Sequence, residues 1–390
     1  MEAPAPDKHA NLALDVVRGV AALLVLLAHA RRTVVQMSGV QTPTGGLELL
    51  SMIPTSFARE AVAVFFVLSG YLVGGQVLRG QAANRFSWSF YMGSRLSRLW
   101  TVLLPALAVT AILNVFSHMH YPYLFSLVPE GSQPLTVSSA ACNAVFLMYA
   151  RCPSFGSNGP LWSLAFEFWF YVLFAAFAAL WYTVRRGNYR QAITMLVVIV
   201  AGSVLFGKDV YLFVPAWLLG AAIAYFEPKI MQSREHGVMR FVMKHYLLSV
   251  FASLCILGLA MIVSNLMHAG YPPTLLLVGA AATPLIVILI ANPTYFHGRS
   301  VARLAKLGTI SYTLYAFHSP IVELIIAAGT GLWSDSALSR GIAVYAVSAV
   351  TVVLVVPLWW LFERNTPVVR KTLVKLFTPT TARHAALARR

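Results

Sequence analysis

The chain is short of charge, and of acidic charge most of all. Of its 390 residues only 11% are Asp, Glu, Lys or Arg, and 13 are acidic. A soluble domain is nearer a quarter charged. With 58% hydrophobic residues and a mean hydropathy of +0.72, this excludes a globular enzyme carrying a single anchor. Cysteine is scarce too, at three residues, and neither CxxC nor HExxH spacing occurs, so no metal site is expected. Cys142 and Cys152 fall in one connecting segment, where they form a disulfide if that side is oxidising. Two separate small thiols are the other reading, and Cys255 sits mid-run as packing. The first apolar run lacks the marks of a cleavable signal peptide: it is too long and holds Asp15 and Arg18. No internal repeat is visible, which argues against a transporter built from inverted repeats.

What the chain has instead is a series of apolar runs, each near the length that crosses a bilayer. Ten are predicted, at about 12–30, 57–77, 97–117, 161–182, 190–206, 209–226, 246–267, 272–291, 308–328 and 340–362. The expected fold is an all-α polytopic membrane protein. It would have a segment 1–11, a membrane domain 12–365 and a basic tail 366–390. The close pair 190–206 and 209–226 reads as a tight hairpin or a re-entrant pair, and the short stretch 135–150 as an interfacial or re-entrant helix. With the N-terminus inside, 22 of the 29 Lys and Arg fall on the cytoplasmic side, which places both termini there. The net charge of +16 then reflects this bias and attraction to anionic lipid, not nucleic-acid binding. The long outer segment 118–160 is the loop best suited to carry function.

Ionisable groups inside such runs are costly and default to a functional reading. Arg18 and His29 share the first run, eleven residues apart. That is close to three helical turns, so both project from nearly one face, roughly 16 Å apart along the axis. Asp15, three residues before Arg18, can orient the guanidinium. A structural ion pair plus a satisfied histidine is the plainer alternative. Glu167, in NGPLWSLAFEFWFY (158–171), lies a turn inside the membrane among aromatics, where it could orient a histidine; Trp162 could stack on a sugar face. His318, in LGTISYTLYAFHSP (307–320), is deep in its run with Ser311, Tyr312 and Tyr315 on nearby turns. Arg95 and Arg98, in RLSRLW, share a face, and arginine suits bidentate phosphate binding, although ordinary anchoring would read the same. Ser69, Gly70 and Gly74 in FFVLSGYLVGG permit close helix approach or a kink. Glu363 closes the last run and reads as structural.

Taken in order, LDVVRGVAALLVLLAH, FFVLSGY, RLSR, WSLAFE and ISYTLYAFH resemble the segments of the membrane acyltransferase 3 family of sugar O-acyltransferases. The resemblance covers roughly residues 12–365. It departs at Ala63, where many members carry an acidic residue; Glu60 lies one turn earlier. The resemblance implies transfer of an acyl group, usually acetyl, from cytoplasmic acyl-CoA to a hydroxyl of an envelope polysaccharide or glycolipid. It carries over Arg18, His29, Arg95, Arg98 and Glu167 as functional positions, with weaker support for Ser69, Gly70, Tyr71, Tyr312 and His318.

The expectation that follows is a bacterial inner-membrane enzyme using acetyl-CoA and no metal. Arg95, Arg98, Arg18 and Arg85, helped by Arg299 or Arg303, would bind the donor, with Ser69 and Tyr71 beside them. Trp162, Tyr312 and His318 would line the acceptor site. His29 would be the base, or else a covalent acyl relay, and Glu167 would orient it or stabilise its imidazolium. The partners are acyl-CoA, a glycan or glycolipid acceptor and membrane lipid, with a homo-oligomer left open. A proton-coupled transporter and a polysaccharide-export partner are the competing classes.

Overall fold

A computed structural model describes residues 8–38, 53–123, 133–268, 270–293, 295–296, 298–329 and 336–377. Residues 1–7, 124–132 of the long loop and the tail from 378 lie outside the described residues. Ten helices among the described residues are long and apolar enough to cross a membrane, which agrees with the ten predicted runs. The chain is therefore a multi-pass, all-α membrane protein, and no strand occurs among the described residues. In chain order the long helices are α1 (Lys8–Ser38), α2 (Ala58–Ala82) and α3 (Trp88–His120). A short α4 (Val137–Ala144) precedes α5 (Trp162–Arg185), α6 (Tyr189–Phe206) and α7 (Asp209–Gln232). The amphipathic α8 (Gly237–Lys244) leads to α9 (Tyr246–Leu266), α10 (Tyr271–Ala291), α11 (Arg299–Ala328) and α12 (Ala337–Leu361), and α13 (Thr366–Phe377) follows.

Helix starts follow local chemistry. Ser87, Thr136, Asn188 and Ser336 each accept a hydrogen bond from the backbone N–H three residues on, opening α3, α4, α6 and α12. The expected interfacial helix within 135–150 is thus only eight residues long. The run 190–206 becomes the full helix α6, packed chiefly on α5 and turned into α7 at Gly207.

Two features position the site. First, α11 is the most buried of the ten spans and packs along α1 more extensively than any other helix pair. Glycines allow it. A Cβ on Gly308 would collide with the Asp15 backbone, and one on Gly19 would sit 2.7 Å from Leu307 Cβ. Second, α2 widens into a π-turn over Gly70–Gly74, where a Cβ on Gly70 would overlap the Trp217 carbonyl of α7. Single π-turns inside helices often mark functional positions. The kink or close approach expected from Ser69, Gly70 and Gly74 is this turn. One end of the bundle carries Arg79, Arg95 and Glu227 and is called the arginine end; the opposite, disulfide end carries the Cys142–Cys152 bridge.

Candidate active site

From the arginine end a cavity of about 970 Å³ runs into the bundle between α1, α2, α3, α5, α7 and α11. Its mouth holds Arg79, 3.4 Å from Glu227, which also accepts from the Tyr71 hydroxyl at 3.0 Å. Further in, Arg95 donates to Gln76 at 3.1 Å, and Arg18 pairs with Asp15 at 3.1 Å and reaches Ser311 at 3.4 Å. Arg98 lies against the Tyr312 ring, 5.9 Å from its centroid, and makes no hydrogen bond or ion pair. Its surface is exposed to the cavity although protein surrounds it. A guanidinium with no carboxylate within ion-pair distance, facing a walled cavity, has the chemistry to receive an anion.

Glu167 lines the same cavity from α5. It accepts from Ser69 Oγ at 2.8 Å and from the Tyr171 hydroxyl, while Trp217 Nε1 donates to Ser69 at 3.2 Å. The expectation that Glu167 orients His29 is therefore corrected. Its hydrogen bonds hold α2 and α5 together at the cavity wall.

His29 instead meets His318. His318 Nε2 lies 3.1 Å from His29 Nδ1, and the ring centroids are 4.9 Å apart. His29 Nδ1 is also 3.0 Å from the Val25 carbonyl. His29 lines a second cavity, of about 190 Å³, with Arg32, Thr33, Gly159, Pro160, Trp162 and Tyr271. This one belongs to the disulfide end, since Gly159 and Trp162 also line an adjoining cleft of about 510 Å³ walled by Tyr149 and residues 150–154. Asn143 and the Cys142–Cys152 bridge hold that wall, so the two cysteines are bonded rather than separate. Phe146 and Tyr149 adopt left-handed backbone conformations; the Phe146 carbonyl takes the Trp169 indole N–H and its ring stacks on Phe168, while the Tyr149 N–H donates to the Cys152 carbonyl and its ring meets Phe166.

Between the arginine-side cavity and the His29 cavity stands Tyr315. It lines the far end of the arginine-side cavity, donates to the Pro160 carbonyl at 2.7 Å and lies 2.6 Å from Ser163 Oγ. His29 does not border the arginine-side cavity, so the expected open path from donor site to His29 is closed here by this tyrosine.

The arrangement gathers Arg18, Arg95, Arg98, Ser69, Tyr71, Glu167 and Tyr312 around one cavity. Tyr312, expected beside the acceptor, is thus a wall of the arginine-side cavity and donates to the Leu99 carbonyl. Trp162 lines both disulfide-side spaces. His318 is 1% exposed, lines neither cavity and contacts His29. Arg85, Arg299 and Arg303 are exposed and lie outside the cavity lining. Glu60, one turn before Ala63, is fully buried, accepts from Ser264 Oγ at 3.1 Å and lines neither cavity. Glu363 accepts from the Thr313 backbone and hydroxyl, the structural role expected of it. Sequence reading missed Tyr171, Glu227, Gln76 and Ser163. Only Tyr171 left a signal, four residues after Glu167 on the same helix face. No cluster of three or more metal-ligating side chains occurs among the described residues.

Fold and site together define a multi-pass membrane protein with a cationic cavity and a histidine pair reached from opposite ends. The family of the acyltransferase domain matches residues 11–360, and the chain belongs to it. It is 26% identical over 297 residues to a Bacillus subtilis (strain 168) protein named "Putative peptidoglycan O-acetyltransferase YrhL", covering 67% of this chain and 44% of that one. It is 29% identical over 240 residues to the "O-acetyl transferase" of Shigella phage Sf6, covering 56% of this chain and 64% of that protein. The chain thus spans about half the length of one relative and under two thirds of the other. No solved structure matches.

Proposed function

We propose that the protein transfers an acyl group, in the first instance acetyl, from acyl-CoA to a hydroxyl of an envelope polysaccharide or glycolipid. The arginine end faces the cytoplasm in this reading, and the membrane is a bacterial inner membrane. The observation that carries it is the pair of cavities on either side of Tyr315, one gathering Arg18, Arg79, Arg95 and Arg98 and the other lined by His29, which meets His318. Arg95 and Arg98 hold the phosphates of CoA, and Arg18, steadied by Asp15, guides the donor inward. The acceptor sugar lies against Trp162 and Tyr149, and its hydroxyl reaches His29 from the disulfide side. His29 takes the hydroxyl proton as the oxygen attacks the thioester carbon. The new C–O bond forms, the C–S bond breaks, and the thiolate of CoA takes the proton from His29. The reaction needs the Tyr315 partition to yield, since that side chain separates the two cavities.

The test is release of free CoA from acetyl-CoA by purified protein given extracted envelope glycans, wild type beside His29→Ala. Glycan-dependent release that the substitution abolishes is expected. Release that survives it would remove His29 from the reaction. Absence of both release and acetyl-CoA binding in folded protein would return the transporter reading.

A further inference from the structure

We propose that His318 is a positioning residue that keeps the ring proton of His29 on Nδ1 and so presents Nε2 of His29 as the base; this rests on the acyl-transfer reading above. The hydrogen-bond chain starts at the backbone of α11. His318 Nδ1 lies 2.8 Å from the Tyr315 carbonyl and 3.2 Å from the Leu314 carbonyl. Carbonyl oxygens only accept, so this nitrogen carries the hydrogen. In the neutral ring the other nitrogen, Nε2, is then an acceptor. Its neighbour at 3.1 Å is His29 Nδ1. That atom's other neighbour, the Val25 carbonyl at 3.0 Å, is an acceptor as well. With an acceptor on either side, His29 Nδ1 must carry a hydrogen, leaving the lone pair of the neutral ring on Nε2.

His29 Nε2 makes no hydrogen bond and is not among the sealed, unpartnered atoms, and its ring lines the disulfide-side cavity. It is therefore the nitrogen that an acceptor hydroxyl can meet. When Nε2 takes the hydroxyl proton, the ring cation still donates from Nδ1 to the lone pair of His318. A buried histidine thus does what a buried carboxylate does in a serine–histidine–aspartate triad, holding the tautomer and steadying the cation. Glu167 does not compete for this role, because its hydrogen bonds go to Ser69 and Tyr171. The proton passes from the hydroxyl to His29 Nε2 and from there to the departing sulfur, and His318 keeps its own proton throughout.

The experiment uses full-length protein with ¹⁵N-labelled histidine in lipid nanodiscs, with the His29 signals assigned by their loss in His29→Gln. The wild-type spectrum is expected to show hydrogen on Nδ1 and a lone pair on Nε2. In His318→Phe, which fills similar space without an acceptor, the tautomers should mix, and kcat should fall by about 100-fold or more. KM for acetyl-CoA should stay within about twofold, because His318 lies outside the donor cavity. His318→Gln, whose side-chain carbonyl reaches the position of Nε2, should recover both the tautomer and much of kcat. A wild-type spectrum with hydrogen on Nε2 overturns the proposal, as does full kcat in His318→Phe. The wild-type spectrum decides the tautomer whether or not glycan-dependent turnover is found, so this inference and the acyl-transfer reading fail separately.

Discussion

Removal of the Arg98 guanidinium should weaken donor binding far more than removal of any exposed arginine nearby. Arg98 has no carboxylate within ion-pair distance, and its exposed surface faces the cavity. Its charge acts on Glu363 and Glu167, but each keeps its own hydrogen bonds without it: Glu363 with Thr313, Glu167 with Ser69 and Tyr171. The Arg98→Gln protein should therefore fold, and the loss should be one of ligand contacts. A charge-assisted hydrogen bond contributes about 1.5–3 kcal/mol. At about 1.4 kcal/mol per factor of ten, Kd for acetyl-CoA should rise roughly 10- to 150-fold. Arg98→Lys should recover only part, because an ammonium cannot make the paired contacts of the guanidinium fork. Arg85→Gln is the control, since Arg85 is exposed and lies off the cavity, and its Kd should move by less than about twofold. Calorimetry with acetyl-CoA on detergent-purified protein measures all three. Equal effects of Arg98→Gln and Arg85→Gln would refute the reasoning, since the two arginines would then act only as general surface charge.

Reduction of the Cys142–Cys152 bridge should act on the acceptor and not on the donor. The bridge closes a loop ten residues apart in sequence, for which the chain-entropy relation gives about 2.8 kcal/mol of local stabilisation. KM for the glycan should rise on reduction or in Cys142→Ser/Cys152→Ser, while acetyl-CoA affinity stays unchanged; a donor-side defect would contradict the placement of the cleft. Gly308→Ala should separate α1 from α11. The analogous Cβ on Gly19 needs 0.7 Å or more of movement to reach an ordinary 3.4 Å contact. Such a shift carries the 3.1 Å His29–His318 contact beyond hydrogen-bond range. Overpacking of this kind costs about 1–3 kcal/mol. Both a lowered unfolding midpoint and lost turnover are expected, and a variant with wild-type values of each would show that the helix contact is not needed.

The spans could be read directly because a bilayer demands about 20 apolar residues per crossing, a constraint written locally in the chain. The same holds for the Gly70–Gly74 turn, where the glycines announce a close approach without naming Trp217 as the neighbour. Arg18 and His29 were legible as a pair because helical periodicity fixes their common face. Arg85 could not be told from Arg95 and Arg98, since a positive charge at the end of a span looks alike whether it faces water or a cavity. The two-way reading of Cys142 and Cys152 likewise needed the path of the loop.

The sequence by itself determined the class of protein, the number of crossings and the family segments in their order, because burial in lipid and helical periodicity act over stretches of neighbouring residues. Tertiary structure alone decided which side chain meets His29. His318 lies 289 residues away in the chain and Glu167, bonded to Ser69 across 98 residues, is committed elsewhere. Hydrogen bonds are made at about 3 Å, and only the packing of α1 against α11, glycine against backbone, brings those two rings within that reach.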